Sequence, residues 1–144
     1  MADILLEIKD LKVHFPIRSK RLFGGTTQYV KAVDGVSFHI ERGETLGLVG
    51  ESGSGKTTIG LSLLRAIEPT EGQVTFNLDD RVVDLTQLQG RDLRAFRRYM
   101  YLIFQDPYSS LNPRMTVRDI IAEPLVANRL ATGKEVDEQV RETA

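Results

Sequence analysis

Apolar and polar residues alternate from the start of the chain. Ile4, Leu6 and Ile8 alternate with polar neighbours, and after a break at Lys9-Asp10 so do Leu11, Val13 and Phe15. A period of two predicts strands with one buried face. Residues 16–28 carry Arg18, Lys20, Arg21 and Gly24-Gly25, the composition of an exposed loop. Its basic run is read as solvated, with contact to acidic lipid or a partner as the alternative. Strand character resumes over residues 29–40 and is interrupted at Asp34-Gly35, an expected turn. After Arg42-Gly43, residues 45–49 form a short apolar run that predicts a strand. Ile59, Leu61, Leu63, Leu64 and Ile67 then take helical spacings up to a stop at Pro69. Residues 72–76 and 81–85 predict a hairpin around 77–80. Its paired Asp79 and Asp80 read as a polar turn in preference to a metal site.

Residues 91–100 predict an amphipathic helix, with Leu93, Phe96 and Met100 on one face and Arg91, Arg94 and Arg98 on another. Residues 101–104 read as a short buried strand, followed by a loop over 105–113. Thr116 is the expected cap of a helix carrying Val117, Ile120 and Ile121, which Pro124 ends or kinks. Thr132-Gly133-Lys134-Glu135 is a capping-box pattern opening a last helix with Val136 and Val140 on one face. That helix has a start but no stop, which gives the expectation that the chain is a portion of a longer protein.

Composition narrows the classes. At 144 residues, 41% hydrophobic and 27% charged, the chain suits one ordinary globular domain or a piece of one. A net charge of −1 offers no electrostatic case for nucleic acid. The absence of cysteine removes disulfides and thiolate metal sites. Residues 1–7 lack a basic leader and a long apolar run, so no secretory signal is expected, and no segment is long enough to span a bilayer. Any membrane role is therefore expected to be peripheral. His14 and His39 fall opposite the apolar faces of their strands and read as structural.

The chemistry concentrates in Gly50-Glu51-Ser52-Gly53-Ser54-Gly55-Lys56-Thr57, followed by Thr58. This run meets the pattern G-x-x-x-x-G-K-[ST] at every position and sits between an expected strand and an expected helix. Gly50, Gly53 and Gly55 permit positive φ and turn backbone N–H groups inward around an anion. Lys56 brings a mobile positive charge to the outer phosphates, and Thr57 offers a hard oxygen to Mg²⁺. The helix opening there adds its positive end. A dinucleotide fingerprint fits less well, because glycine would be needed where Thr58 stands.

A phosphate loop alone leaves many nucleotide hydrolases open, but no N-K-x-D motif marks a GTPase here. Lys31-Ala32-Val33-Asp34-Gly35-Val36-Ser37-Phe38 leading into Arg42-Gly43-Glu44, the loop Gly50 to Thr58, and residues 101–113 together resemble the ATP-binding subunits of ABC transporters. Phe104-Gln105-Asp106-Pro107-Tyr108-Ser109-Ser110-Leu111-Asn112-Pro113-Arg114-Met115 and the insertion between Phe15 and Tyr29 are similar to the oligopeptide/dipeptide importers of bacteria and archaea. The resemblance implies an α/β fold: the P-loop NTPase core of an ABC ATPase with an antiparallel β subdomain and the start of a helical subdomain, truncated. Its parts would be 1–49 (antiparallel β subdomain and P-loop strand), 50–68 (P-loop and helix), 69–115 (strands up to the glutamine loop) and 116–144 (start of the helical subdomain).

By the same resemblance Phe15 matches the aromatic that stacks on adenine, with core packing as the alternative. Gly50 to Thr58 would hold the phosphates of ATP, and Gln105 would touch Mg²⁺ and the attacking water. Residues 107–113 would face a membrane partner. The implied partners are a second ATP-binding subunit, transmembrane permease subunits and, indirectly, a peptide-binding protein. The implied location is the cytoplasmic face of the membrane. The family's LSGGQ-type signature loop, Asp-Glu strand and later histidine are not found in residues 1–144. This portion alone is therefore expected to be inactive, with gaps in its core sheet and no partners for the Val136/Val140 stripe. A small nucleotide or metabolite kinase and a truncated, non-catalytic nucleotide binder remain the alternatives.

Overall fold

The computed structural model describes residues 3–17, 28–78, 81–106 and 111–144. The chain forms two compact units, Met1–Leu102 and Ile103–Ala144. The first is built on four antiparallel strands in the order β2-β1-β3-β4, where β1 is Ile4–Ile17, β2 Gln28–Glu41, β3 Glu71–Leu78 and β4 Arg81–Asp84.

Both interruptions expected in the first two strands lie inside the ladder. In β1, Asp10 takes φ +53 and its N–H donates to Ser37 Oγ at 2.8 Å. The residue added there reverses the parity of the strand, so Leu6 and Ile8 share one buried face with Leu11 and Val13. In β2, Asp34-Gly35 makes no turn. Leu11 pairs with Val36 and Lys12 with Asp34, leaving Gly35, at φ +79, as the surplus residue of a bulge. The Asp-Gly pair supplies positive φ, and pairing on either side of it commits that φ to a bulge. A further shift falls between Val13 and His14, whose partners are Val33 and Lys31, so Ala32 is surplus as well. The hairpin expected after residue 72 is present, with Leu78 opposite Arg81, while Asp79 and Asp80 lie outside the described residues.

Helix α1, Lys56–Leu63, buries Ile59 in a core that also holds Ile8, Leu11, Val13, Val74 and Phe76. It stops before the expected Ile67. Arg65 turns left-handed at φ +53, its N–H donates to the Ser62 carbonyl at 3.0 Å, and the Ala66 N–H reaches Leu61 O at 2.9 Å. This is a Schellman closure with arginine where glycine is usual. The guanidinium of Arg65 holds Leu85 O at 2.7 Å and Thr86 O at 2.5 Å, tying the helix end to the segment after β4. The next helix is shorter than expected: α2 is Gly90–Phe96, and Arg97–Tyr99 is a 3₁₀ turn. Phe96 packs edge-on to Phe76, centroids 5.3 Å apart at 81°. Arg97, on neither face singled out from sequence, donates to Leu64 O at 3.2 Å and Arg65 O at 2.6 Å.

Two expected strands are corrected. Residues 45–49 and 101–104 enter no ladder among the described residues, and Val49 is 99% and Ile103 92% exposed. A β-rich apolar run becomes strand only where a neighbour offers backbone partners.

In the second unit, α3 is Val117–Ala127 and α4 Lys134–Thr143. Thr116 caps α3, its hydroxyl accepting from the Asp119 N–H at 3.2 Å and donating to the Asp119 carboxylate at 2.7 Å. The helix runs through Pro124 instead of ending there. It closes on a second Schellman motif: Arg129 sits at φ +55, its N–H donates to Val126 O at 3.1 Å, and the Leu130 N–H donates to Leu125 O at 2.8 Å. Only half of the expected capping box forms at α4. Gly133 is the cap, and the Thr132 N–H donates to the Glu135 carboxylate at 3.3 Å. Contrary to expectation, the Val136/Val140 stripe has partners: both are buried with Ala122 and Ala131 beside Ile121 and Leu125. Arg118 adds a tie between the helices, its Nε 3.0 Å from Asp137 Oδ1.

Candidate functional site

The glycine-rich loop wraps the start of α1. The Ser54 N–H donates to Glu51 O at 3.2 Å, and Gly53 and Gly55 take φ +82 and +93. Gly55 is constrained twice over, because a Cβ there would also collide with the carbonyl oxygen of Ala32. Gly50 is not among the positive-φ residues; its glycine is explained by space, since a Cβ would sit 2.7 Å from Ser54 Oγ. The cap residue Gly55 contributes no side-chain bond, and the first turn of α1 carries no acidic residue. The helix therefore presents unpaired N–H groups and an uncompensated positive end, the electrostatics of an anion site.

Lys56 reaches back over the loop. Its Nζ donates to Gly50 O and Glu51 O, each at 2.7 Å, and to Ser54 Oγ at 3.3 Å. The ammonium is thus held by carbonyls of the loop it would share with a phosphate. Ser52 is exposed on the loop, as is Thr57 at the helix start, while the carbonyl of Thr58 accepts from Ser62 Oγ at 2.7 Å inside α1.

Phe15 is 40% exposed and lies outside the core cluster. Its parity puts it on the face of Leu11 and Val13. Val13 pairs with Val33, whose Cγ2 lies 3.5 Å from where a Gly55 Cβ would be. Phe15 therefore continues the loop-bearing face about 7 Å beyond Val13. Sequence distance hid this proximity; strand register reveals it.

Gln105 is exposed and belongs to the second unit, whereas the loop belongs to the first. Residues 107–110 of the expected partner-facing loop lie outside the described residues. The end of that loop is a local turn, with Asn112 Oδ1 accepting from the Arg114 N–H at 3.1 Å. Among the described residues no group of three or more His, Cys, Asp or Glu could hold a metal, and no helix is long and apolar enough to cross a membrane. The exposed Thr57 hydroxyl at the helix start is a hard oxygen of the kind Mg²⁺ accepts, and needs no such group.

Sequence reasoning missed one polar cluster beside the loop. Asp34 receives Lys31 Nζ at 3.0 Å and stands 2.9 Å from His14 Nε2. The Lys31 ammonium, and after it the His14 imidazole, hold the Asp34 carboxyl below the usual range. Only the register of the bulged strands brings these residues together.

Comparison with known proteins follows the same lines. The chain is 47% identical over 141 residues to the oligopeptide transport ATP-binding protein AppF of Bacillus subtilis, covering 97% of this chain and 41% of that protein. It is 52% identical over 147 residues to OppF of the same organism, covering 99% and 43%. The chain thus spans less than half the length of these relatives. The solved dimeric ATP-binding cassette MJ0796, in a post-hydrolysis state bound to ADP and Pi, matches with TM-score 0.71 at 23% identity. That match covers 96% of this chain and 55% of the other, and it is a likeness of fold. A family model described as "ABC transporter" matches residues 33–144, from the buried Val33 of β2 through both helices of the second unit, and the chain belongs to that family.

Proposed function

We propose that this chain is the nucleotide-binding part of an ATP-binding subunit that energises peptide import. The observation that carries the reading is the loop itself: Lys56 Nζ is held at 2.7 Å by two loop carbonyls beside an uncapped helix start. The likeness to AppF and OppF, named as oligopeptide transport ATP-binding proteins, supports the peptide substrate. In this reading the N–H groups of Gly50, Glu51, Ser52, Gly53, Ser54 and Gly55 surround the phosphates of ATP. Lys56 exchanges its loop carbonyls for phosphate oxygens, and Thr57 and Thr58 complete the cradle, Thr57 toward Mg²⁺. Phe15 stacks on adenine. Gln105 meets Mg²⁺ and the attacking water, and the 107–113 loop docks on a permease subunit. A second ATP-binding subunit and an upstream peptide-binding protein complete the assembly at the cytoplasmic face of the membrane. Bound Mg-ATP supplies the phosphoryl group whose hydrolysis drives transport. Residues 1–144 hold neither the signature loop nor the Asp-Glu glutamate, so turnover is assigned to the complete subunit and not to these residues alone.

The test is Mg-ATP binding to the complete subunit. Lys56→Ala removes a charged contact to the phosphates, worth roughly 1.5–3 kcal/mol and so about ten- to a hundredfold in affinity. Thr57→Ala weakens only the Mg²⁺-dependent part. Wild-type affinity in the lysine variant would refute the assignment.

A further inference from the structure

We propose that Lys31, Asp34 and His14 position the phosphate loop, by pinning the bulge of β2 at Ala32 on which Gly55 rests. This rests on the nucleotide-binding reading above. Ala32 is a surplus residue, so it lacks the ladder constraint that holds its neighbours, and a bulge is the place where a strand most easily shifts. It is also where the sheet meets the loop: the Ala32 carbonyl oxygen packs so closely on Gly55 that no Cβ fits between them. A displacement of Ala32 is therefore passed to Gly55, the cap of α1, and through it to the N–H groups at the helix start.

The three side chains bracket that bulge. Lys31 precedes Ala32 and Asp34 follows it, and their contact at 3.0 Å closes the bulge along β2. His14 lies opposite Lys31 on β1 and meets the other Asp34 oxygen at 2.9 Å, which fixes the bulge across the ladder. His14 is itself anchored by its N–H to Thr70 Oγ1 at 2.9 Å, beside β3. The Lys9–Glu7 pair, 2.9 Å apart on β1, lies outside the paired stretch that holds Ala32, and it serves as the internal control. Exposed ion pairs of this kind add little to global stability. Binding geometry is more demanding, since a site loses function when its support moves by about half an ångström. The cluster's effect is therefore expected on ligand affinity and not on folding.

The experiment compares the dissociation constants of Mg-ATP and of inorganic tripolyphosphate for the complete subunit and its variants. Asp34→Ala should weaken both ligands by the same factor, about tenfold as for other supporting residues, without moving the denaturation midpoint. Asp34→Asn, which keeps an acceptor, should recover part of the loss, and Lys9→Ala should stay within about twofold of wild type. Should Asp34→Ala fail to fold, the pair His14→Ala and His14→Gln gives the same reading: loss in the first, and recovery where an N–H donor is restored. Unchanged affinity in Asp34→Ala, an equal loss in Lys9→Ala, or a loss confined to ATP would overturn the proposal. Lys56→Ala is measured alongside. If it too binds like wild type, the nucleotide reading fails; if it loses affinity while Asp34→Ala does not, only the positioning role fails.

Discussion

One substitution made at two arginines should change stability in opposite directions. Arg65 and Arg129 occupy the same place in two Schellman closures, at φ +53 and +55. A non-glycine residue there costs about 1–2 kcal/mol, and glycine returns about 0.5–1 kcal/mol of that as added chain entropy in the unfolded state. Arg→Gly should therefore gain about 0.5–1 kcal/mol wherever the side chain does nothing else. Arg129 is such a place, because its side chain is exposed. Working in about 0.3 M salt removes its residual attraction to the α3 carboxyl end. Arg65 is not. Its side chain is only 6% exposed and donates to the carbonyls of Leu85 and Thr86. At roughly 1.5–3 kcal/mol per charged hydrogen bond, losing both costs about 3–6 kcal/mol. The pair with Glu68, itself 79% exposed, adds little. The buried Nε without a hydrogen-bond partner among the described residues already detracts from the native value, so the low end is expected. The net loss for Arg65→Gly is then about 2–4 kcal/mol. Native-state hydrogen exchange reads each site within its own unit: at Ala66 and Ile67 for the first, at Arg129 and Leu130 for the second. Stabilisation by Arg65→Gly, or destabilisation by Arg129→Gly, would refute the reasoning.

Three other outcomes are expected. Phe15→Tyr should leave Mg-ATP affinity within about twofold, while Phe15→Ala should weaken it by about 0.5–1.5 kcal/mol; equal loss in both would exclude stacking. The Asp119 carboxyl is held below the usual range by the Thr116 hydroxyl first and by Arg118 after it. A carboxyl depressed in the folded state contributes stability above its ordinary value and loses it as pH falls through the folded one. The start of α3 should therefore fray on acidification below about pH 4, read by exchange at Asp119 and Ile120, and Asp119→Asn should abolish that dependence. In the second unit, Val140→Ala should lower stability by about 1–2 kcal/mol, since its stripe is buried and not idle; a neutral result would restore the expectation of an unpartnered helix.

Period and punctuation made much of the architecture legible. Alternation located β1 and β2, and the backbone demands at Gly53 and Gly55 were readable from the loop pattern, whereas Gly50 answers a demand for space beside Ser54 and not for positive φ. Three things were not readable. Asp34-Gly35 and Lys9-Asp10 have turn composition, yet pairing on both sides absorbs them as bulges. The ends of α1 and α3 are set by left-handed arginines, a choice only the partners of Arg65 explain, and only at one of the two sites. The neighbourhood of Ala32, Gly55 and Phe15 depends on the pairing register of β1 with β2, which the hydrophobic period of either strand does not state.

The two corrected strands show what a local pattern can and cannot specify, and they give the last prediction. Residues 45–49 and 101–104 have the apolar, short composition of buried strands, but strand is a relation between backbones, and a hydrophobic run alone satisfies neither its N–H nor its C=O groups. In this chain those groups face water: Leu48 is 44%, Tyr101 84% and Ile103 92% exposed, against 1% for Ile8 and 0% for Leu11 and Val74. Exposed backbone opens at almost no free-energy cost, whereas core ladder amides open only with much of their unit. Amide exchange on residues 1–144 should therefore be near the unstructured rate at Leu46, Leu48 and Ile103. It should be slower by about a thousandfold or more, about 4 kcal/mol, at Ile8 and Val74. Adding Mg-ATP should slow exchange in α1 and the loop, where binding acts, and leave residues 45–48 fast, because phosphate contacts offer that segment no ladder partner. Protection at residues 46–48 equal to that of β1 in the free chain would mean that the segment has found a strand to pair with, and would refute the lack of a ladder partner as the cause of its exposure.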